Sequence, residues 1–390
     1  MSAADTAAAA NPTGRAFLLR LVRSDAAIVA GLFLGSRGLL LLIGYLTLAL
    51  VPGAHAAGPL LPNLFVHWDS DWYLQIAAQG YTRAEAPGQP GATSFAFYPL
   101  LPLLMRALHQ ITGLPLPLSG VLLSNIALCI ALMVVVELGA AVTGDRRNGL
   151  MSAALLSFVP EGFVFSAIYT ESLFLLLTAG SMLAFARQRY VASALLAALN
   201  STVRTNGVLV AAYYLLDILR RRGLKGALRV WERPEEYLPA IAAPLGLVLF
   251  WWFAFLVTGD AFAQKSTVLH GWGWAPALPW TNVLTYLASG ALTDRFWVVS
   301  ALISLALSFT LLRREYWPLF AYCLLNFALY LTGATANSLL RYSITILPIY
   351  FGVSLHLVRR PLLAGIAFGA MALLGGFLMA AWALGLNITT

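Results

Sequence analysis

Residues 27–51 read AIVAGLFLGSRGLLLLIGYLTLALV, and the class of the whole molecule turns on how that run is taken. It carries a single charge, Arg37, and is long enough to cross a hydrocarbon core of about 30 Å as a helix. Ala54-His55-Ala56 follows and has the small-x-small look of a signal-peptidase site. A signal h-region runs only about 7–15 residues, so the stretch reads as a first transmembrane helix instead. The composition agrees. Of 390 residues, 60% are hydrophobic and 10% charged, where a soluble domain carries roughly 25% charged residues. Such a chain has too few polar groups to cover its surface, and in lipid only helices or closed barrels satisfy the backbone. The expected class is an all-α, polytopic membrane protein.

Further apolar runs fall at about 118–142, 149–168, 171–186, 191–203, 207–219, 237–257, 296–312, 316–332, 341–358 and 362–386. With the first run they make about eleven spans, those between 171 and 219 too short to cross fully. No polar stretch is long enough to bury its own core. The organisation expected is a cytoplasmic tail, 1–24, opening on the Ala-rich and disordered Ser2–Ala10, then one membrane domain over 25–390. Cys129 and Cys323 lie inside apolar runs and read as packing residues without a disulfide.

The net charge of +8 does not point to nucleic acid, because the basic residues cluster between apolar runs. With the N-terminus in the cytoplasm, all but six of the 24 Lys and Arg fall in the cytoplasmic half. The six are Arg83, Arg106, Arg204, Lys265, Arg295 and Arg341. This bias makes 52–117 and 258–295 external loops and 220–236 a cytoplasmic one, the last a basic amphipathic stretch suited to anionic lipid. It also makes 95–113 an amphipathic helix lying on the outer interface, or alternatively a re-entrant helix, since counting it as a span would invert every later loop. Arg37 sits near the inner face, where its side chain can snorkel, and receives no catalytic role.

The unusual polar residues gather on the external side. FVHWDSDWYLQIAAQGY (65–81) holds Asp69 and Asp71 among Trp68, Trp72 and Tyr73. A solvated loop accounts for isolated acids; acids set among interfacial aromatics are candidates for general-base work. Glu171, in SAIYTESLF (166–174), lies at the external mouth between two apolar helices. NSTVRTNGVLV (200–210) places Asn200, Arg204 and Asn206 inside an apolar stretch, with Gly207 suited to a break between short helices. A polar hairpin tip satisfying its own backbone is the plainer account of that segment. TGDAFAQKSTVLHGWGWAP (258–276) brings Asp260, Lys265 and His270 with two tryptophans, and Arg341-Tyr342 opens a later helix. A cation there opposes both the helix dipole and the charge bias, so it needs a negative partner, Glu171 or a phosphate. Guanidinium forks suit phosphate and tryptophan faces suit sugars and isoprenoid chains.

In that order the motifs resemble the PIG-V mannosyltransferases, membrane glycosyltransferases of the GT-C class. The resemblance rests on HWDSDWYLQIAAQGY, FAFYPLLPLL, VPEGFVFSAIYTESLF, VRTNG, GDAFA…GWGW and RY…LP, each weak alone and specific in sequence. It implies a GT-C fold with amphipathic helices in the first external loop and Asp69 as that loop's catalytic acid. It further implies a polyprenyl- or dolichyl-phosphate sugar donor, with mannose as the sugar and a lipid-linked or glycolipid acceptor. The expected reaction is an inverting transfer with Asp69 as general base and Asp71 or Glu171 as second acid. Arg204, Asn206, Lys265, His270, Arg341 and Tyr342 would bind donor phosphate and sugar, with Trp68, Trp72 and Tyr73 as aromatic contacts. No cofactor is required on this reading; the alternative is a divalent metal on Asp69 and Asp71. The family usually has a small residue where this chain has Glu161, which receives no role. The chain is shorter than eukaryotic members and shows no evident retrieval signal, which implies a bacterial plasma membrane; a eukaryotic source would mean the endoplasmic reticulum. The rivals are a transporter or flippase of lipid-linked sugars, marked by broken helices, and a scaffold that binds such lipids without reaction.

Overall fold

A computed structural model of the chain describes residues 12–52, 59–333, 338–386 and 388, with side chains from Asp25 onward, Asn63 excepted. Ser2–Ala10, the Ala54-His55-Ala56 triplet and the side chains of Arg15, Arg20 and Arg23 lie outside the described residues.

The first apolar run is helical, and helix α1 spans Pro12–Leu50, so it begins inside the segment read as a tail. Then come α2 (Leu60–Phe65), α3 (Asp69–Gln79) and α4 (Leu100–Thr112). The next group is α5 (Leu116–Thr143), α6 (Arg146–Ser157), α7 (Glu171–Ala186), α8 (Tyr190–Ser201) and α9 (Val210–Leu228). After these run α10 (Leu238–Ala242), α11 (Leu245–Thr258), α12 (Ala263–Trp272) and α13 (Pro279–Ala288). The chain closes with α14 (Leu292–Ser308), α15 (Trp317–Leu331), α16 (Leu339–Ser343), α17 (Pro348–Leu357) and α18 (Pro361–Ala383). Among the described residues the β-structure is one isolated bridge, Ala86 to Gln89.

The eleven apolar runs resolve unequally. Among the described residues five helical segments are long and apolar enough to cross a membrane: Asp25–Leu50, Leu116–Thr143, Pro234–Thr258, Leu292–Leu311 and Pro361–Ala383. The run 149–168 is not a continuous helix. Helix α6 stops at Ser157, and Gly162–Phe165 forms a 3-10 turn. Pro160 disfavours helical backbone at Val159 and cannot donate a backbone hydrogen bond, which explains the break. The run 341–358 is likewise split, between α16 and α17. The interruption at 202–209 falls where Gly207 was expected to allow it, but for a reason of packing. A Cβ on Gly207 would lie 2.5 Å from the carbonyl oxygen of Asn200, so only glycine lets the turn close on the end of α8.

Helix α4 is about 20 Å long at 1.5 Å per residue, short of a span. It buries Leu101, Pro102 and Met105 and leaves Leu103, Leu104 and Ile111 exposed, the two-faced character expected of an interfacial helix. Arg106 donates to the carbonyls of Ile76 (2.9 Å) and Ala77 (2.6 Å) at the end of α3. Both cysteines are free.

Charge separates the two ends of the bundle. At one end Arg146 pairs with Asp25 and with Glu137 (2.8 Å), and Arg187 pairs with Glu137 (2.5 Å). Asp217 takes both Arg220 and Arg221, and Glu232 takes Arg222. The other end gathers α3, the 202–209 turn, α12 and α16.

Candidate active site

Asp69 and Asp71 do not sit in a loop, as the sequence reading had them, but in the first turn of α3, where the helix dipole favours acids. The turn is aimed by a strained residue. Trp68, which precedes Asp69, has φ +44° and ψ −104°, outside the ordinary regions for a bulky side chain. Its ring packs on Trp382 at 4.8 Å, and Trp382 is itself tied by its indole N–H to the carbonyl of Leu64 at 2.6 Å. Residues two apart on a helix do not face each other. Asp69 therefore turns into a cavity, while Asp71 is exposed and takes no part in its wall.

The cavity measures about 550 Å³, within the usual range for small-molecule sites. Its charged lining is Asp69, Glu171, Arg204, Lys265 and Arg341. Arg341, only 5% exposed, donates from Nη1 to Asp69 Oδ2 at 2.8 Å, and its Nε lies 3.5 Å from Glu171 Oε1. Arg204 Nη1 lies 3.2 Å from the same Glu171 oxygen. Glu171, 1% exposed, thus sits between two arginines at the first residue of α7. The negative partner that Arg341 was expected to need is supplied twice over. Neither Arg204 Nη1 nor Arg341 Nε makes a hydrogen bond among the described residues, nor does Glu171 Oε2. Both donors stay within ion-pair distance of Glu171, so a ligand must compete with that carboxylate for them.

Rings hold the guanidinium planes. Tyr342 lies 4.7 Å from the Arg204 guanidinium and 5.1 Å from that of Arg341. Tyr169 covers Arg341 from another side at 4.7 Å, and Phe174 flanks Arg204 at 5.9 Å. Tyr73 completes the wall beside Asp69. Burial, then the charges of Asp69 and Glu171, push its phenol well above the usual range, so it stays a hydrogen-bond donor. Burial likewise pushes the Tyr98 phenol up to about 12, against the hydrogen bond with Thr205 (2.7 Å) that lowers it.

Of the residues singled out from sequence, Trp68, Asp69, Tyr73, Glu171, Arg204, Asn206, Lys265, Arg341 and Tyr342 line the cavity. Asn206 does so as a strut, because its amide donates to Asn326 (3.0 Å) and to Tyr330 (2.5 Å). Asn200, Asp260 and three of the proposed site residues fall outside the lining. Asp71 faces away, and His270 is exposed with its ring on the Ser266 carbonyl. Trp72 stacks on Phe97 (5.5 Å) and meets Trp272 (5.7 Å), joining the segment after α2 to the end of α12 rather than facing the cavity. Gln89 adds to that join by donating to the Gly271 carbonyl at 3.0 Å, as does the Thr93–Thr267 hydroxyl pair at 2.8 Å. Sequence reasoning missed Tyr330 and Asn326, whose apolar surroundings give no local signal, and passed over Tyr169 although it stands two residues before Glu171 in SAIYTESLF. It also set aside Glu161, which is fully buried with neither carboxylate oxygen hydrogen-bonded among the described residues.

The sequence model of the family described as Mannosyltransferase (PIG-V) matches residues 52–311. The chain belongs to that family. The match contains Asp69, Glu171 and Arg204, and Arg341 follows it. Among similar proteins, GPI alpha-1,6-mannosyltransferase 2 of Cricetulus griseus is 34% identical over 160 residues, 38% of this chain and 30% of that protein. The Rattus norvegicus protein of the same name is 29% identical over 265 residues, 60% of this chain and 51% of that one. The chain therefore spans about half, or less, of the length of these relatives. Among solved structures, ArnT from Cupriavidus metallidurans bound to undecaprenyl phosphate superposes with a TM-score of 0.50 at 12% identity. That superposition covers 82% of this chain and 59% of ArnT. The likeness is one of fold, and it gives this PIG-V family member the GT-C architecture of an integral membrane protein.

Proposed function

We propose that the protein transfers a hexose, mannose by family, from a polyprenyl- or dolichyl-phosphate donor to a hydroxyl of a lipid-linked or glycolipid acceptor. The observation that carries this reading is a pair of arginines, Arg341 buried and Arg204 partly buried, facing one cavity with the Asp69 carboxylate at 2.8 Å from Arg341. Two acids and three cations line that cavity, an excess of one positive charge. A sugar phosphodiester carries one negative charge, so the balance suits it better than a doubly charged nucleotide sugar. The acceptor oxygen attacks the anomeric carbon as Asp69 takes its proton, and the bond to phosphate oxygen breaks on the opposite face, inverting the centre. Arg204 and Arg341 stabilise the charge that grows on the departing lipid phosphate. The cavity lies away from the end that collects the basic loops, which supports an external or lumenal active site and a cytoplasmic N-terminus.

The single-sided placement of the acids also bears on metal. Asp69 and Asp71 diverge on α3, and each carboxylate inside the cavity already has a guanidinium partner, so these residues do not fit a shared divalent ion. Transfer is expected to run at full rate in chelator. Loss of activity that manganese or magnesium restores would defeat this version. Asp71→Asn is expected to keep its rate within about threefold, as exposed substitutions shift free energies by only about 0.5 kcal/mol.

The test of the whole reading is transfer of mannose by purified protein from a short-chain polyprenyl-phosphate mannose to a panel of glycolipid acceptors. Product formation in detergent, with no second compartment, separates an enzyme from a flippase or a scaffold. Movement of lipid-linked sugar across vesicles without product would sink the proposal.

A further inference from the structure

Arg37 was expected to snorkel toward the inner face, and it does not. It is buried within the bundle. Its Nη1 donates to the Gly162 carbonyl (2.6 Å) and the Ser166 hydroxyl (3.3 Å), its Nη2 to the Ser157 carbonyl (3.0 Å), and its Nε to Ser36 (3.3 Å). Ser157 ends α6, so its carbonyl is among the acceptors a helix terminus leaves unpaired. A cation is favoured at that end of the dipole. Arg37 is therefore a cap for α6 supplied by α1, and apart from its neighbour Ser36 its acceptors belong to α6 or to the irregular segment after it.

That segment, 158–170, is the route by which the chain reaches the cavity. It is buried almost throughout. Ser166 passes the contact on to Asn125 (2.9 Å), and Ser172 closes the far side on the Phe165 carbonyl (2.6 Å). It ends by delivering Tyr169 against Arg341 and Glu171 between the two arginines. We propose that Arg37 is a positioning residue for the transfer reaction: by fixing 157–166 it sets where Glu171 and Tyr169 hold the donor-binding arginines. A charge placed this deep is costly unless it serves a purpose, and a smaller polar residue could cap Ser157 alone without spanning to Ser166. The inference rests on the reading of the cavity as the donor-phosphate site.

A double-mutant cycle on the purified full chain tests it, with farnesyl phosphate as the probe and quenching of the cavity tryptophans as the signal. Wild-type protein must bind the probe; failure to do so sinks the donor reading and this inference with it. Arg37→Lys is expected to weaken binding by about fivefold in the wild-type background and by less than about twofold in a Glu171→Gln background, the non-additivity of residues acting through one another. Equal losses in both backgrounds, or a lowered melting temperature with unchanged affinity, would reduce Arg37 to a fold residue and overturn the proposal. Ser166→Ala, which keeps the charge and removes one acceptor, is expected to show the same background dependence at smaller size. It decides the matter if Arg37→Lys does not fold.

Discussion

Replacing Asp69 by asparagine is expected to lower kcat by about 10²–10⁴-fold, the usual contribution of a placed general base. The amide keeps the shape of the side chain, and its oxygen can still accept from Arg341 Nη1, so the 2.8 Å contact and the fold around α3 are expected to survive. Donor affinity is expected to hold or rise, because one negative charge leaves the cavity. The measurement is an initial-rate series with polyprenyl-phosphate mannose, beside size-exclusion and melting profiles of the same preparation. A well-folded variant turning over within about threefold of wild type would remove Asp69 as the base.

The second large effect belongs to Arg341→Gln, for which kcat/KM for the donor is expected to fall about 10²–10³-fold, the loss of one charged donor to a leaving group. Unlike the Asp69 change, this one disturbs the ground state as well. It strips the partner from Asp69 and one of two partners from Glu171, which is 1% exposed. Removing one side of a buried pair typically costs about 3–5 kcal/mol, so the melting temperature is expected to fall too. Arg341→Lys restores the charge without the two-pronged geometry, and its donor kinetics should fall between the two. Unaltered donor kinetics in Arg341→Gln would mean that the phosphate binds elsewhere.

The residues that were legible in the sequence were those whose chemistry conflicts with grease. Asp69, Glu171, Arg204 and Arg341 stood out because charge is expensive in lipid, and all four line one cavity. Glu171 was one of the two partners expected for Arg341, but the pairing of Arg341 with Asp69 was not legible. Asp69 and Arg341 are 272 positions apart, and no local period joins them. The residues alone do not separate the two aspartates; the family resemblance singles out Asp69. On a helix, a spacing of two sends them to different faces. The break after Ser157 was signalled by Pro160 and Gly162, but an apolar average over 149–168 hid it. Arg37 was misjudged by the same averaging. Its partners are backbone carbonyls, which every residue carries and which become available only where a helix stops.

The two guanidiniums of the cavity are never bare, and this bears on how fast the spent lipid gets away. Before any donor arrives, Asp69 and Glu171 already occupy them at 2.8 and 3.2 Å. An incoming phosphate must displace these carboxylates, and a departing one hands the guanidiniums back to them. Leaving therefore re-forms two ion pairs instead of stranding two cations. The built-in competitors make the well for polyprenyl phosphate shallower than two free arginines would, and so shorten its residence time. For the lipid-phosphate product proposed above, that restraint favours turnover.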